Sequence, residues 1–339
     1  MIVELRSDTF TRPTPEMLRE MFAASVGDDV FGEDPTVNAL EEKAARLFKM
    51  ESALFCPSGT MSNQIAIKAH TQPGDEVICH ETSHVYQYEG GGIGFNSGCA
   101  TKLLSGPKGQ IDAQQVKDSI NNPNDVHKPI SKLVVLENTS NMGGGACYAI
   151  EQIEEIRTAC NKNGLILHLD GARLANAIAE KNHSFSRYGP LFDSISLCLS
   201  KGLGAPVGTV LVGSKAFIKK SRRIRKVFGG GMRQAGYLAA AGIYALDNHV
   251  ERLTKDHLHA REVAAILKTK SWVKNVQDPE TNILLFDTPD DLPAREIVAR
   301  LGEKGIRCLP TQKNRIRMVF HLNVGENEMQ YLLETLQQN

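Results

Sequence analysis

The hydrophobic and polar positions of this chain alternate between the period of a strand and the period of a helix. Short apolar runs predict strands at residues 53–56, 76–79, 132–138, 165–169, 193–199 and 208–212. Amphipathic segments predict helices at residues 15–24, 37–50, 64–70, 150–163 and 173–180. Such an alternation is typical of an α/β protein with a mostly parallel sheet covered by helices.

The pattern changes towards the C-terminus. A long helical run follows residue 233 and reaches about residue 268, and we expect it to carry the chain out of the first domain. Beyond it we expect a compact α+β layer with strands at 281–287, 306–309 and 315–320 and helices at 293–303 and 325–337. The sequence therefore predicts a large domain over residues 1–250 and a small domain over residues 251–339.

Two of the predicted strands end in residues that carry chemistry. The strand at 193–199 leads to Lys201 and then to a turn that contains Gly202 and Gly204. The strand at 165–169 leads to Asp170, about thirty residues earlier, which is the length of one strand–helix–strand crossover. Both side chains should emerge at one sheet edge. Pyridoxal phosphate (PLP) needs a lysine for its aldehyde and an acidic partner for its pyridine nitrogen.

Composition narrows the class of protein. The 339 residues contain 39 Lys and Arg against 39 Asp and Glu, so there is no excess of positive charge that would indicate nucleic-acid binding. Seven cysteines without paired spacing argue against a disulfide framework and against a zinc site, and no metal is expected. The N-terminus lacks the features of a signal peptide, and no apolar run approaches membrane-spanning length. A cytoplasmic enzyme is the expected class.

Several motifs resemble those of the threonine aldolase family, which has the aspartate-aminotransferase-like PLP fold. They lie in order at residues 5–9, 27–35, 57–63, 136–139, 170–174, 200–208 and 229–236. The resemblance thins after about residue 240. Family members often carry a tyrosine at the position of Phe31 and a histidine at the position of Ser140, so this chain departs from the pattern twice.

The resemblance implies a set of cofactor contacts. Lys201 is expected to bind the aldehyde, Asp170 the pyridine nitrogen, and His84 to stack on the ring. The phosphate is assigned to Gly59 and Thr60 at the start of a helix, and Ser58 and Arg173 are also expected to contact the cofactor. Arg233 is expected to reach the cofactor phosphate of a neighbouring subunit. Taken alone, Ser58-Gly59-Thr60 is also an ordinary helix cap.

The same resemblance implies the substrate contacts. Ser7, Arg173 and Arg317 are expected to bind the carboxylate, and Phe31 to reach towards the substrate. His84 and His127 are the candidates that remove the β-hydroxyl proton. For His127, a plain surface loop remains the competing interpretation.

The predicted activity is aldol cleavage of threonine or allo-threonine to glycine and acetaldehyde by a homotetramer built from dimers. Another PLP reaction on this fold, such as β-elimination, racemisation or hydroxymethyl transfer, is the nearest alternative, because fold and cofactor do not fix which bond breaks. A non-catalytic phosphate-binding or nucleotide-binding module is the second. The sequence contains neither a Walker motif nor a strand-linked Gly-x-Gly-x-x-Gly motif, which argues against such a module.

Overall fold

The structure is a computed structural model that describes residues 1–338. Its strands are β1 (Val3–Glu4), β2 (Ser52–Cys56), β3 (Asp75–His80), β4 (Ala100–Leu104), β5 (Ile130–Glu137), β6 (Ile166–Gly171), β7 (Ser194–Cys198), β8 (Thr209–Gly213), β9 (Asn275–Gln277), β10 (Ile283–Asp287), β11 (Ile306–Arg307), β12 (Leu309–Gln312) and β13 (Arg315–Val319).

Helices alternate with these strands. They are α1 (Pro15–Ala23), α2 (Pro35–Phe48), α3 (Gly59–His70), α4 (His84–Gln87), α5 (Gly92–Ser97), α6 (Ala113–Ser119), α7 (Ile150–Lys162), α8 (Leu174–Lys181), α9 (Phe185–Tyr188), α10 (Lys215–Val227), α11 (Gly236–Asn248), α12 (Leu253–Leu267), α13 (Ala294–Glu303) and α14 (Glu326–Gln337). The long helical run predicted up to residue 268 is in fact two helices, α11 and α12.

The central element is a seven-stranded sheet with the order β2-β8-β7-β6-β5-β3-β4. Its strands are parallel except for β8, which pairs antiparallel with both β2 and β7. The predicted mostly parallel α/β sheet is therefore confirmed. Strand β4 was not predicted, because it lies at the sheet edge with mostly exposed side chains and carries no apolar run.

Local chemistry sets the starts of the first two helices. Thr14 accepts a hydrogen bond from the backbone N–H of Met17, and Pro15 occupies the first turn of α1, as predicted. The Asp34 carboxylate caps α2 by accepting from the backbone N–H groups of Thr36 and Val37. Helix α1 packs against α11, and α2 packs against β2 and β8 of the large sheet.

The C-terminal part contains a second, antiparallel sheet with the order β12-β13-β10-β9. The chain's first strand, β1, pairs in parallel with β11 in this part. One main hydrophobic cluster lies around the large sheet and a second lies in the C-terminal part. Val3 and Leu5 belong to the second cluster, together with Phe286 and Leu332. The domain boundary at residue 250 remains a prediction.

All seven cysteines are buried and unpaired. Burial raises the pKa of the Cys56, Cys147, Cys160 and Cys308 thiols to about 12, so these groups stay neutral. They behave as small apolar side chains. Within residues 1–338, no helix is both long and apolar enough to cross a membrane.

Candidate active site

Asp170 and Lys201 lie at the carboxyl edge of the large sheet. Asp170 is on β6, where it lies beside Ser196 of β7 on one side and Glu137 of β5 on the other. Lys201 follows the end of β7, and its backbone carbonyl accepts hydrogen bonds from Gly204 N–H and Thr11 Oγ1. Both side chains line the same cavity, as the crossover spacing predicted.

The cleft has an inner and an outer part. The inner cavity, about 210 Å³, is lined by Gly59, Thr60, Asp170, Ser200 and Thr209 among others. The outer cavity, about 390 Å³, is lined by residues that include Ser7, Asn141, Arg173 and Arg317. His84 and Lys201 line both parts. Lys201 and His84 therefore lie at the boundary between the inner and the outer cavity.

Asn63 lines the inner cavity and joins two buried carboxylates there. Its side-chain Nδ2 donates to Asp170 Oδ2 at 2.9 Å and to Glu89 Oε1 at 2.9 Å. The other Asp170 oxygen accepts from the backbone N–H of Ala172 at 3.0 Å. Both carboxylates are thus held in fixed orientations by hydrogen-bond donors.

His84 is positioned by two carboxylates. Its Nδ1 donates to Glu89 Oε1 at 2.8 Å, and its backbone N–H donates to Glu137 Oε2 at 2.7 Å. Burial lowers the pKa of His84, but the hydrogen bond to Glu89 and the charges of Asp170 and Glu89 outweigh it, so that the pKa is raised overall. Burial, together with the nearby Asp170 charge, raises the pKa of Glu137.

Two arginines from different parts of the chain converge on the outer cavity. Arg173 is buried and makes a two-pronged contact with Asp8, at 2.7 Å and 2.8 Å. Burial alone would raise the pKa of Asp8, but the Arg173 guanidinium holds it at about 2. Asn141 Oδ1 accepts from Arg173 at 3.2 Å and from Arg317 at 2.9 Å, so one amide oxygen holds both guanidinium groups.

The inner cavity fits the predicted cofactor. Gly59 and Thr60 begin α3, a twelve-residue helix whose free N–H groups and dipole favour an anion. The buried Thr209 hydroxyl, on the facing strand, has no hydrogen-bond partner among the described residues. A Cβ on Gly59 would lie 3.6 Å from that hydroxyl, so the glycine keeps the space open. A phosphate there would satisfy donors that are otherwise unused.

Four of the predicted site residues do not line either cavity. Ser58 instead caps α3 by accepting from the backbone N–H of Met61. His127 lies in a loop with its side chain 87% exposed and paired with Asp125. Phe31 is 74% exposed, and the Arg233 side chain is 53% exposed and paired with Asp28. This chain alone does not bring His127, Phe31 or Arg233 to the cleft.

The structure also reveals site residues that the sequence analysis missed. Asp8, Asn63, Glu89 and Asn141 each contact a predicted site residue. Asp8 and Asn63 lie inside motifs 5–9 and 57–63, so a closer reading of those motifs could have found them. Glu89 and Asn141 carry no comparable signal, since their roles depend on contacts between distant segments.

Comparison with known proteins gives the family. Residues 4–290 match the profile of the beta-eliminating lyase family. The chain is 41% identical over 337 residues to the probable low-specificity L-threonine aldolase 2 of Arabidopsis thaliana, covering 98% of this chain and 95% of that protein. It is 40% identical over 331 residues to the low specificity L-threonine aldolase of Escherichia coli K12, with coverages of 97% and 96%.

A solved structure supports the same assignment at the level of fold. The threonine aldolase of Leishmania major superposes with a TM-score of 0.83 at 23% identity, covering 98% of both chains. The likeness establishes the predicted aspartate-aminotransferase-like architecture. Because the family profile spans most of the chain and the relatives match almost its full length, this protein belongs to the beta-eliminating lyase family, within its threonine aldolase group.

Proposed function

We propose that this protein is a PLP-dependent aldolase that cleaves threonine or allo-threonine to glycine and acetaldehyde. The observation that carries the proposal is that the residues expected to hold PLP and those expected to bind the substrate line adjoining cavities. Lys201 and Asp170 lie beside an anion-binding helix start, and two arginines converge next to them. The names of the relatives support the same reaction.

The cofactor supplies a protonated pyridine ring that accepts the electron pair released when the Cα–Cβ bond breaks. Lys201 would hold the cofactor through its side-chain amine. The Asp170 carboxylate would stabilise the proton on the ring nitrogen. Gly59, Thr60 and Thr209 would hold the phosphate in the inner cavity.

The outer cavity binds the substrate. Arg317 and Arg173 bind the α-carboxylate. Arg317 offers its unpartnered Nε, whereas Arg173, whose Nε and Nη2 already contact Asp8, contributes its positive charge. Glu89 accepts a hydrogen bond from His84 Nδ1–H, which leaves His84 Nε2 free to take the β-hydroxyl proton. Proton removal at this oxygen, together with a fixed carboxylate, directs cleavage to the Cα–Cβ bond.

Assembly into a homotetramer, built as a dimer of dimers, belongs to the same proposal. Phe31, His127 and Arg233 are exposed on this chain although the resemblance places all three near the substrate or cofactor. A neighbouring subunit that receives these side chains reconciles the two observations. We place the enzyme in the cytoplasm, where its seven unpaired cysteines remain reduced.

Product analysis tests the proposed reaction. The purified protein, loaded with PLP, is incubated separately with L-threonine and L-allo-threonine. Equal amounts of glycine and acetaldehyde are expected from at least one isomer. A keto acid with ammonia would instead show β-elimination, and a change of configuration alone would show racemisation.

A further inference from the structure

A buried chain of hydrogen bonds runs from α3 across β7 and β6 to the two carboxylates. His70 Nε2 lies 2.8 Å from Ser194 Oγ, and Ser194 Oγ lies 2.8 Å from His168 Nδ1. His168 Nε2 lies 3.3 Å from Asn63 Oδ1. Asn63 then contacts Asp170 and Glu89 through its Nδ2. His168 is fully buried and does not line the cleft.

The two carboxylates fix the orientation of the Asn63 amide. Glu89 receives N–H donors from Asn63, Gln64 and His84, and Asp170 receives donors from Asn63 and Ala172. Oxygens in this setting act as acceptors, so the Asn63 NH₂ group must face them. Its carbonyl oxygen must then face His168. A flipped amide would place that oxygen against two acceptors.

The orientation of Asn63 in turn selects one tautomer of His168. Burial lowers the pKa of His168 to about 3, so the ring is neutral and carries one proton. That proton must be on Nε2, because Asn63 Oδ1 is an acceptor. His168 Nδ1 then accepts from the Ser194 hydroxyl, although the Ser194 backbone oxygen also lies 3.1 Å away. Ser194 Oγ in turn accepts from His70 Nε2.

Every bond of this chain therefore directs its donor towards Asp170 and Glu89. Hydrogen bonds arranged in one direction polarise one another, and burial strengthens the effect. Asp170 faces the pyridine nitrogen in the proposed function, whereas Glu89 orients His84. One asparagine consequently connects the group that holds the ring proton with the group that holds the candidate base.

We propose that His168 is a positioning residue that acts through Asn63 to keep Asp170 and Glu89 oriented as acceptors. The proposal rests on the proposed function for its meaning in catalysis, but its geometry concerns this chain alone. Without the His168 donor, the Asn63 amide oxygen loses its partner and the amide is held only through its Nδ2, so its contacts with Asp170 and Glu89 become less firmly fixed. Both the ring-nitrogen contact and the His84 contact should then weaken together.

The first test is the tautomer itself. Nitrogen-15 NMR of histidine-labelled protein, with and without PLP, should show His168 neutral at about pH 7 with its proton on Nε2. A His168→Gln variant assigns the signal. A neutral ring with the proton on Nδ1 would overturn the proposal, and this measurement does not depend on enzyme activity.

The second test uses substitutions in the PLP-loaded enzyme. His168→Leu removes the donor, whereas His168→Gln retains an N–H group that can reach Asn63. His257 provides the matched control, since it is equally buried and its Nε2 lies 3.0 Å from the Asn176 amide oxygen, outside the cleft. Circular dichroism and thermal melting establish that each variant is folded.

His168→Leu should weaken PLP binding about tenfold, the effect of one net hydrogen bond, and shift the pH at which the visible absorbance of bound PLP titrates. His168→Gln should restore both properties towards wild type, and His257→Leu should change neither. Wild-type absorbance and affinity in His168→Leu, or equal effects in both leucine variants, would contradict the proposal. Wild-type protein that binds PLP but releases no glycine would refute the proposed reaction and leave the positioning role standing.

Discussion

Arg317 carries a buried hydrogen-bond donor that no residue in the described part of the chain accepts. Its Nε has no partner, while its Nη atoms contact Asn141 and the backbone oxygen of Arg6. Burial and the neighbouring Arg173 charge lower the pKa of Arg317, which means that a further anion would stabilise its charged form. A substrate carboxylate provides that anion.

Arg317→Gln should therefore raise KM for threonine by about 10- to 100-fold, the effect of a lost hydrogen bond to a charged group. The fall in kcat should be smaller. Arg315 is the matched control because it lies on the same strand, where Asp287 already satisfies it at 2.7 Å. Arg315→Gln should leave KM close to wild type, and equal KM changes in the two variants would contradict carboxylate binding by Arg317.

The two candidate histidines should behave differently. His84→Ala should lower kcat by about 100- to 10,000-fold, the usual contribution of general base catalysis. His127 belongs to the cleft only if a neighbouring subunit receives it, so His127→Ala should change the ratio of activities on threonine and allo-threonine by about tenfold at most. Steady-state kinetics on both isomers measure this. An unchanged ratio and rate for His127→Ala would assign that residue to the surface loop.

The pH dependence follows from the Glu89–His84 contact. Neutral His84 is the active form, and its raised pKa places the acid limb of kcat/KM above the ordinary histidine value of 6.5. Glu89→Gln removes the charge and should move this limb to lower pH. Control measurements on Glu280→Gln, which alters a carboxylate paired with Lys108 outside the cleft, should show no shift. An unmoved limb in Glu89→Gln would exclude His84 as the titrating base.

The junction between β8 and the start of α3 makes the inner cavity polar. Thr209 is the first residue of β8, and its hydroxyl is buried without a hydrogen-bond partner among residues 1–338. Unsatisfied buried groups are costly, so one that also lines the cavity indicates a ligand there. Ser221 on α10 is also buried without a partner but does not line the cleft.

Thr209→Val should stabilise the cofactor-free protein slightly and weaken PLP binding about tenfold. The valine keeps the side-chain shape and removes only the unsatisfied hydroxyl. Ser221→Ala should affect stability alone. Thermal melting of the cofactor-free protein and equilibrium binding of PLP separate the two effects. Unchanged PLP affinity in Thr209→Val would remove this hydroxyl from the phosphate site.

The sequence predicted the elements whose apolar runs are buried, and it placed Lys201 and Asp170 at one edge, since connection length fixes strand neighbours. It could not predict β4, whose exposed side chains carry no periodic signal. The contacts of Asp8 with Arg173 and of Asn63 with Asp170 join segments more than a hundred residues apart. Such partners depend on packing, which no local pattern records.

The outer cavity depends on both parts of the fold. Arg173 follows the large sheet and Arg317 lies in the C-terminal sheet, and Asn141 contacts both. Asp8, from the N-terminal segment, also accepts from Asn282 at 3.3 Å. The substrate site therefore requires the relative placement of three separate regions of the chain.

Buried neutral histidines should make stability fall in mild acid. Burial lowers the pKa of His70 and His257 to about 4 and that of His168 to about 3, below the ordinary value of 6.5. The unfolded chain therefore binds more protons, and stability is lost as pH falls below about 6.5. Each such histidine contributes about 1.4 kcal/mol per pH unit over this range. Asp8 adds a further loss only as pH falls from 3.8 towards about 2.

Urea unfolding at about pH 7.5 and about pH 5.5, at one protein concentration, measures this effect. We expect a clear loss of unfolding free energy, opposed in part by Asp256, whose pKa burial raises to about 6. His257→Gln should reduce the pH dependence by removing one of these groups. A stability that stays constant over this range would show that these histidines titrate normally in the folded protein.

The identity of the lysine that carries the cofactor shows whether this cleft is the active site. The purified protein is reduced with borohydride, which fixes PLP covalently to its lysine, then digested and mapped by mass spectrometry. We expect the added mass on the peptide that contains Lys201 and its absence from a folded Lys201→Ala variant. Label on a different lysine, or no label in protein that still releases glycine from threonine, would contradict the assignment of this cleft as the active site.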